Sequence, residues 1–417
     1  MSDASLYVAA AIFVLTFALL SIRSIRSYRL DRPAVALFGA ALMLAFGIVT
    51  PVKAMEALSG GLGVLVLLLG MMLLVAGLDV CGFFDLVSRR IAEVSQSQLH
   101  FLVLLFGSTA ILSALVLNDT IALLMTPIVV KTCRTLRINA APFLVALALA
   151  ANIGSVATPV GNPQNAYIAI QGAIPFGTFT SRLLPVAALS LAVGLAVVWL
   201  AFRKDLSAHV EGFQEARKAA PVIVQRRGLA LTLAVVIGTV AAFSLSSPDM
   251  LPFAALIGGS LVLLILPALA HTTPRTLFEK VDWSVLILFL GLFIVMKGVQ
   301  TSGLLGAIMA QLGANAVGSD VWQLTAASGL VSNLVSNVPA VLLLAPLVPT
   351  AQTNLWLALA ASSTLAGNAT ILGAAANIIV VQVAAKAGAD VSMRDFVKAG
   401  LPTAFLTTAL AAAWLAH

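Results

Sequence analysis

The stretch "ANIGSVATPVGNPQN", residues 151–165, decides the fold. It lies inside residues 142–172, an apolar run long enough to cross a bilayer, yet Gly, Pro, Asn and Thr interrupt it. Proline removes a backbone donor and glycine and asparagine favour turns, so one continuous helix is excluded here. Non-helical backbone at membrane depth is tolerated only against protein or a water-lined cavity. A second stretch, "NATILGAAAN" at 368–377, interrupts the run 355–386 in the same way and aligns Thr158 with Thr370, Gly161 with Gly373 and Asn165 with Asn377. Two broken helices of one pattern are therefore expected.

Around them the chain is lipid-compatible. Of 417 residues 61% are hydrophobic and 9% charged, against ~25% charged in a soluble domain. Uninterrupted apolar runs at 6–22, 34–50, 62–79, 183–202, 228–245, 251–269, 284–299 and 398–416 are expected to span. Met1–Leu20 lacks a basic leading region and a cleavage site and is taken as the first span. The net charge of +7 does not point to nucleic acid, because Arg and Lys fall in short clusters between apolar runs. Arg23, Arg26, Arg29 and Arg32 form one cluster and Arg89 with Arg90 another; further ones hold Lys131, Arg134 and Arg137, Arg203 to Arg227, Arg275 and Lys280, and Lys386 to Lys398. The positive-inside rule places all of them in the cytoplasm, and the segments 300–320 and 347–354, which hold no Lys or Arg, outside.

That map constrains two more runs, 100–134 and 321–349, each too long for one span and polar near its middle. The first begins and ends on the basic side and the second on the uncharged side, so both are expected to be re-entrant hairpins entering from opposite faces. The expected fold is an all-α integral membrane protein of ten spans and two hairpins, in the cytoplasmic (inner) membrane, with both termini outside. The two halves match in order: "VLVLLLGMMLLVAGLDVCG" (64–82) with "VLILFLGLFIVMKGVQTSG" (285–303), and "LNDTIALLMTPIV" (117–129) with "SNVPAVLLLAPLV" (336–348). The broken helices match next, then "FTSRLLP" (179–185) with "FVKAGLP" (396–402). Five spans per half, an odd number, make the second copy run upside down. The halves are residues 1–204 and 228–417, joined by a basic linker at 205–227.

Inverted halves bring the interruptions to one midplane site. Broken helices expose ends carrying about half an elementary charge, which hold polar or anionic oxygens at one end and cations at the other. The expected solute-binding residues are Asn118, Thr120, Thr158, Gly161, Asn162 and Asn165 from the first half. Ser336, Asn337, Asn368, Thr370, Gly373 and Asn377 supply the second. Asp119 is the one acidic residue that the map places at midplane depth, where a carboxylate costs roughly 2.5–3.5 kcal/mol. It is the expected ion-coupling group. Asp79 and Asp85 are expected to be solvated near a span end, Lys297 to snorkel, and Cys81 and Cys133 to be packing residues. No metal cluster, nucleophile–base pair or G-x-x-x-x-G-K-[ST] loop is visible, so an enzyme is not expected, no cofactor is implied, and a proton or sodium gradient is the expected energy source.

At these residues the sequence resembles the ion transporter superfamily, which holds divalent anion/sodium symporters, sodium/proton antiporters and bacterial arsenite permeases. "ANIGSVATPVGNPQN" resembles the signature of the first broken helix, "LNDTIALLMTPIVV" and "SNVPAVLLLAPLV" the hairpin tips, and "GNATILGAAANIIV" (367–380) the second broken helix of the arsenite permease and antiporter branch. The resemblance implies half-sites of Asn118, Asp119 and 158–165, and of Ser336, Asn337 and 368–377. The anion/sodium symporters carry Ser-Asn-Thr at both tips. Here the tips read Leu117-Asn118-Asp119 and Ser336-Asn337-Val338, and the second broken helix lacks a counterpart of Pro163. The resulting expectation is export of uncharged arsenite or antimonite hydroxide in exchange for protons by alternating access. The alternatives are sodium-coupled uptake of a carboxylate or oxyanion, and sodium/proton antiport. The resemblance also implies a homodimer and, for an arsenite pump, an ATPase subunit as partner. The lipid bilayer and a small solute complete the expected partners, with no nucleic acid among them.

Overall fold

Proline, glycine and capping side chains set where helices begin and end in the computed structural model, which describes residues 3–21, 24–25, 28–29, 31–207, 223–311 and 320–417. The first half holds α1 (Asp3–Ser21), α2 (Arg32–Ala45), α3 (Pro51–Val80), α4 (Phe83–Val94), α5 (Gln98–Leu115), α6 (Asn118–Leu136), α7 (Ala141–Ser155), α8 (Pro163–Gln171) and α9 (Phe176–Leu206). The second holds α10 (Arg226–Leu245), α11 (Leu251–Leu269), α12 (Pro274–Glu279), α13 (Trp283–Thr301), α14 (Leu304–Gln311), α15 (Val321–Val335), α16 (Asn337–Leu344), α17 (Thr353–Ala366), α18 (Ala375–Lys386) and α19 (Met393–Leu415). The strand structure among the described residues is a two-residue ladder pairing Ser24–Ile25 with Tyr28–Arg29. Seven of the described helices are long and apolar enough to cross a membrane. Most of the linker expected at 205–227, with Arg217 and Lys218, lies outside the described residues, as do Arg23, Arg26 and much of 300–320.

Several boundaries move from where hydropathy puts them. The third span opens at Pro51, not near residue 62, because Thr50 accepts a hydrogen bond from the Lys53 N–H (3.3 Å) and proline occupies the first helical position. Lys53 and Glu56 had masked those extra turns. Asp79 is not simply solvated: its carboxylate takes the Lys280 ammonium at 2.5 Å. Lys297 reaches Glu56 at 3.0 Å. These two pairs tie the start of α3 to the end of α13 and the end of α3 to Lys280, three residues before α13 begins, so the two helices run antiparallel. Cys81 and Cys133 are free and buried, as expected of packing residues.

Close helix approach organises the packing. α3 lies along α11, where a Cβ on Gly70 would strike the Ala255 backbone; α13 lies along α2, where one on Gly291 would strike the Ala36 backbone. Both α3 and α13 then end on a left-handed glycine, Gly82 (φ 78°) and Gly303 (φ 77°), which stops the helix without steric cost.

At one end of the bundle the Arg134 guanidinium donates to the Ala387 carbonyl (2.8 Å), which joins the last turns of α6 and α18, and Asn139 donates to Asp205 (3.4 Å). At the other end Asn354 donates to the Leu415 carbonyl (3.2 Å), and Asp320 lines a cavity with Gln352 and Asn354. The helix–turn–helix pair α5–α6 therefore opens toward the first end and α15–α16 toward the second. The α7–α8 and α17–α18 segments run antiparallel beside them. Helix α7 is buried along its whole length and forms the centre of the core.

Candidate functional site

Two breaks and two tips meet around α7. Helix α7 ends at Ser155 and α8 begins at Pro163; α17 ends at Ala366 and α18 begins at Ala375. The turns between are built alike. Asn165 Nδ2 donates to the carbonyls of Ser155 (2.9 Å) and Thr158 (3.1 Å). Asn377 Nδ2 donates to those of Gly367 (2.9 Å) and Thr370 (2.9 Å). The Gly161 N–H reaches Thr158 Oγ1, and the Gly373 N–H reaches Thr370 Oγ1, both at 3.1 Å. Each asparagine thus closes the carbonyls that its helix break leaves open, a need set by the cost of orphaned buried backbone.

These clamps fix the direction of every amide further in. With both Nδ2 hydrogens of Asn377 on carbonyls, its Oδ1 must accept, and Asn152 Nδ2 donates to it at 2.8 Å. The same Nδ2 donates to Asn368 Oδ1 (2.8 Å), which leaves Asn152 Oδ1 to accept from Asn118 Nδ2 (3.1 Å). Alongside, the Thr364 hydroxyl spends its proton on Ala360, so Gln164 Nε2 donates to Thr364 Oγ1 (2.9 Å). Asn152 is therefore the hub that joins the first tip to the second break. Within this network Asn118 Oδ1, Gln164 Oε1, Asn165 Oδ1 and Asn368 Nδ2 are left without a partner among the described residues, all of them on buried side chains.

A cavity of about 280 Å³ opens beside this network, just below the ~300–1,000 Å³ typical of ligand sites. Asp119, Ser336, Asn337, Pro163, Leu372 and Ala375 line it, with Asp31 and Arg32 from the start of α2. Ser336 turns the second tip in the left-handed region (φ 76°) and donates to Asn337 Oδ1 (3.2 Å), which also takes the Val338 N–H (3.0 Å). The cavity thus gathers Asp119, Ser336 and Asn337, whereas Asn118, Asn368 and Asn377 converge on Asn152 in the sealed interior.

The other expected residues take other places. Thr120 faces away, into a separate cavity with Asp79, Lys280 and Asp282. Residues 118, 119 and 120 open α6, and about 100° per residue sends them in three directions. Thr158 donates to the Ala114 carbonyl (2.5 Å) and Asn162 to Ser155 Oγ (3.4 Å). Gly161 and Gly373 press on the Ser155 and Gly367 carbonyls, so they are spacers of the turns. Asn152, Gln164 and Thr364 went unremarked in the sequence. The signal was a lone amide inside an apolar helix, with Asn152 standing opposite Thr364 once Thr158 is set on Thr370.

A family model described as citrate transporter matches residues 12–356. The chain belongs to the citrate transporter family. Within this family of membrane transporters, an uncharacterized transporter of Mycobacterium bovis is 30% identical over 98% of this chain and 97% of its own. The silicon efflux transporter LSI3 of Oryza sativa subsp. japonica is 29% identical over 91% of each chain. The crystal structure of the Alcanivorax borkumensis YdaH transporter superposes with a TM-score of 0.58 at 14% identity, covering 99% of this chain and 97% of that one, which is a likeness of fold. Family and helices together make this citrate transporter homologue a multi-pass membrane carrier of a small solute, in the ion transporter superfamily and in a family of transporters rather than of enzymes.

Proposed function

We propose that this carrier exports a neutral polyhydroxylated solute, arsenite or antimonite hydroxide, in exchange for protons. The observation that carries the reading is the cavity wall. Its ionisable residues are Asp31, Arg32 and Asp119, two carboxylates against one guanidinium, beside the neutral Ser336 and Asn337. A citrate-like trianion would meet net negative charge there, whereas a neutral hydroxide would not. The silicon efflux named for the rice relative is in line with this, since silicon and arsenite both dissolve at neutral pH as uncharged hydroxides. Asp119, half-buried on the wall, is the proton carrier in this reading.

Inversion of the two halves, 1–204 and 228–417, is part of the proposal, with alternating access in the inner membrane and the termini outside. The exchanged packing of α3 on α11 and α13 on α2 supports it, as do the antiparallel breaks. Sodium-coupled uptake is the second reading, favoured by one observation: among the described residues, four of the five buried amide atoms without a partner are oxygens, which suit a cation as well as a hydroxyl donor.

Proteoliposome flux of arsenite and citrate under an imposed pH or sodium gradient tests this. The expected result is uphill arsenite movement driven by the proton gradient. Asp119→Asn should abolish uphill movement and spare downhill exchange, with the protein still folded. Citrate flux without arsenite flux, or drive by sodium alone, would overturn it.

A further inference from the structure

Between α4 and the start of α10 lies a groove of about 790 Å³, remote from the amide network. Arg89, Arg90 and Glu93 of α4 line it with Arg226, and Leu86, Leu229 and Leu233 supply its apolar wall. Glu93 is engaged by both α4 arginines, with Arg89 at 2.5 Å and Arg90 at 3.2 Å. The Arg89 guanidinium beside it holds that carboxyl below the usual carboxylate range. Among the described residues, three guanidiniums against one carboxylate leave the lining net positive. The N-terminus of α10, without a side-chain cap, adds the partial positive charge of a 20-residue helix. Helix α4 itself sorts its residues by face, burying Phe84, Ser88, Ile91 and Ala92 while Arg90 is exposed. The helix thus seats its apolar face on the bundle and turns Arg90 outward. Arginines above an apolar wall at the bundle's basic end match a phosphate above an acyl chain.

We propose that this groove binds one anionic phospholipid of the surrounding leaflet, its phosphate on Arg90 and Arg226 and its acyl chain along Leu229 and Leu233. The groove is separate from the transported solute's cavity, so this assignment stands or falls apart from the transport reading.

Delipidated full-length protein in neutral detergent, titrated with phosphatidylglycerol or phosphatidylcholine and read by native mass spectrometry, tests the assignment. Phosphatidylglycerol should bind more than tenfold tighter. Arg90→Gln with Arg226→Gln should weaken it roughly thirtyfold, at roughly fivefold per arginine. Lys at both positions should retain most of the affinity, and Arg203→Gln should leave it unchanged. If the double variant does not fold, each single Gln variant should still show its roughly fivefold loss. Unchanged phosphatidylglycerol binding in the Gln variants, equal loss in Arg203→Gln, or full displacement by glycerol phosphate at matched concentration would each overturn the proposal.

Discussion

The two helix breaks share one clamp yet differ in what they show to the cavity. Residues 151–166, around the first break, are all buried. The second break presents Leu372, 40% exposed, and Ala375 to the cavity wall. The same hydrogen-bond plan thus serves a sealed turn and an open one, so local sequence sets the turn while packing sets its access. Pro163 sharpens the contrast: it starts α8 where α18 starts on Ala375, and it is the edge of the first break that touches the cavity.

Access should separate the breaks most sharply. A cysteine at Leu372→Cys should react readily with a water-soluble maleimide, while Val160→Cys, at a site 1% exposed, should stay unlabelled. Equal labelling would erase the contrast. Next in size is the hub between them. Asn152→Ala strands Asn118 Nδ2 and the Oδ1 atoms of Asn368 and Asn377, which should cost roughly 2–4 kcal/mol in unfolding and stop transport. Retained stability with normal flux would remove Asn152 from its role. The clamps come third. Asn377→Ala loses two carbonyl contacts and a link to Asn152, so it should destabilise by about 2 kcal/mol, against about 1 kcal/mol for Asn165→Ala. The reverse order in thermal melts would break the comparison. Smallest is the Lys297–Glu56 pair, whose carboxylate is largely exposed. Lys297→Met should shift unfolding by less than about 1 kcal/mol.

Much of this was legible because glycine, proline and asparagine punctuate apolar runs visibly. The breaks at 156–162 and 367–374 and the tips at 116–118 and 336 all fall where those residues interrupt hydropathy. The match of 64–82 with 285–303 also paired the glycines that now fix close approach, Gly70 with Gly291. Asn152 was not legible in the same way. Nothing local distinguishes an amide in mid-helix from a kink or a packing accident, and two of its three partners lie more than two hundred residues away. Thr120 failed for an opposite reason: it sits beside Asp119 in the chain but a third of a turn away in space. The amphipathic α4 escaped because its charges made it look like a loop.

Helix α3 also works as a ruler. Its ion-paired acids, Glu56 near one end and Asp79 near the other, bracket a stretch without charge, which rises roughly 33 Å. Hydrocarbon is about 30 Å thick, so both pairs stay in the polar layers for any lean up to roughly 25°. Because Lys297 lies on α13 and Lys280 lies three residues before it, α3 and α13 are tied at both levels and share one depth in the bilayer.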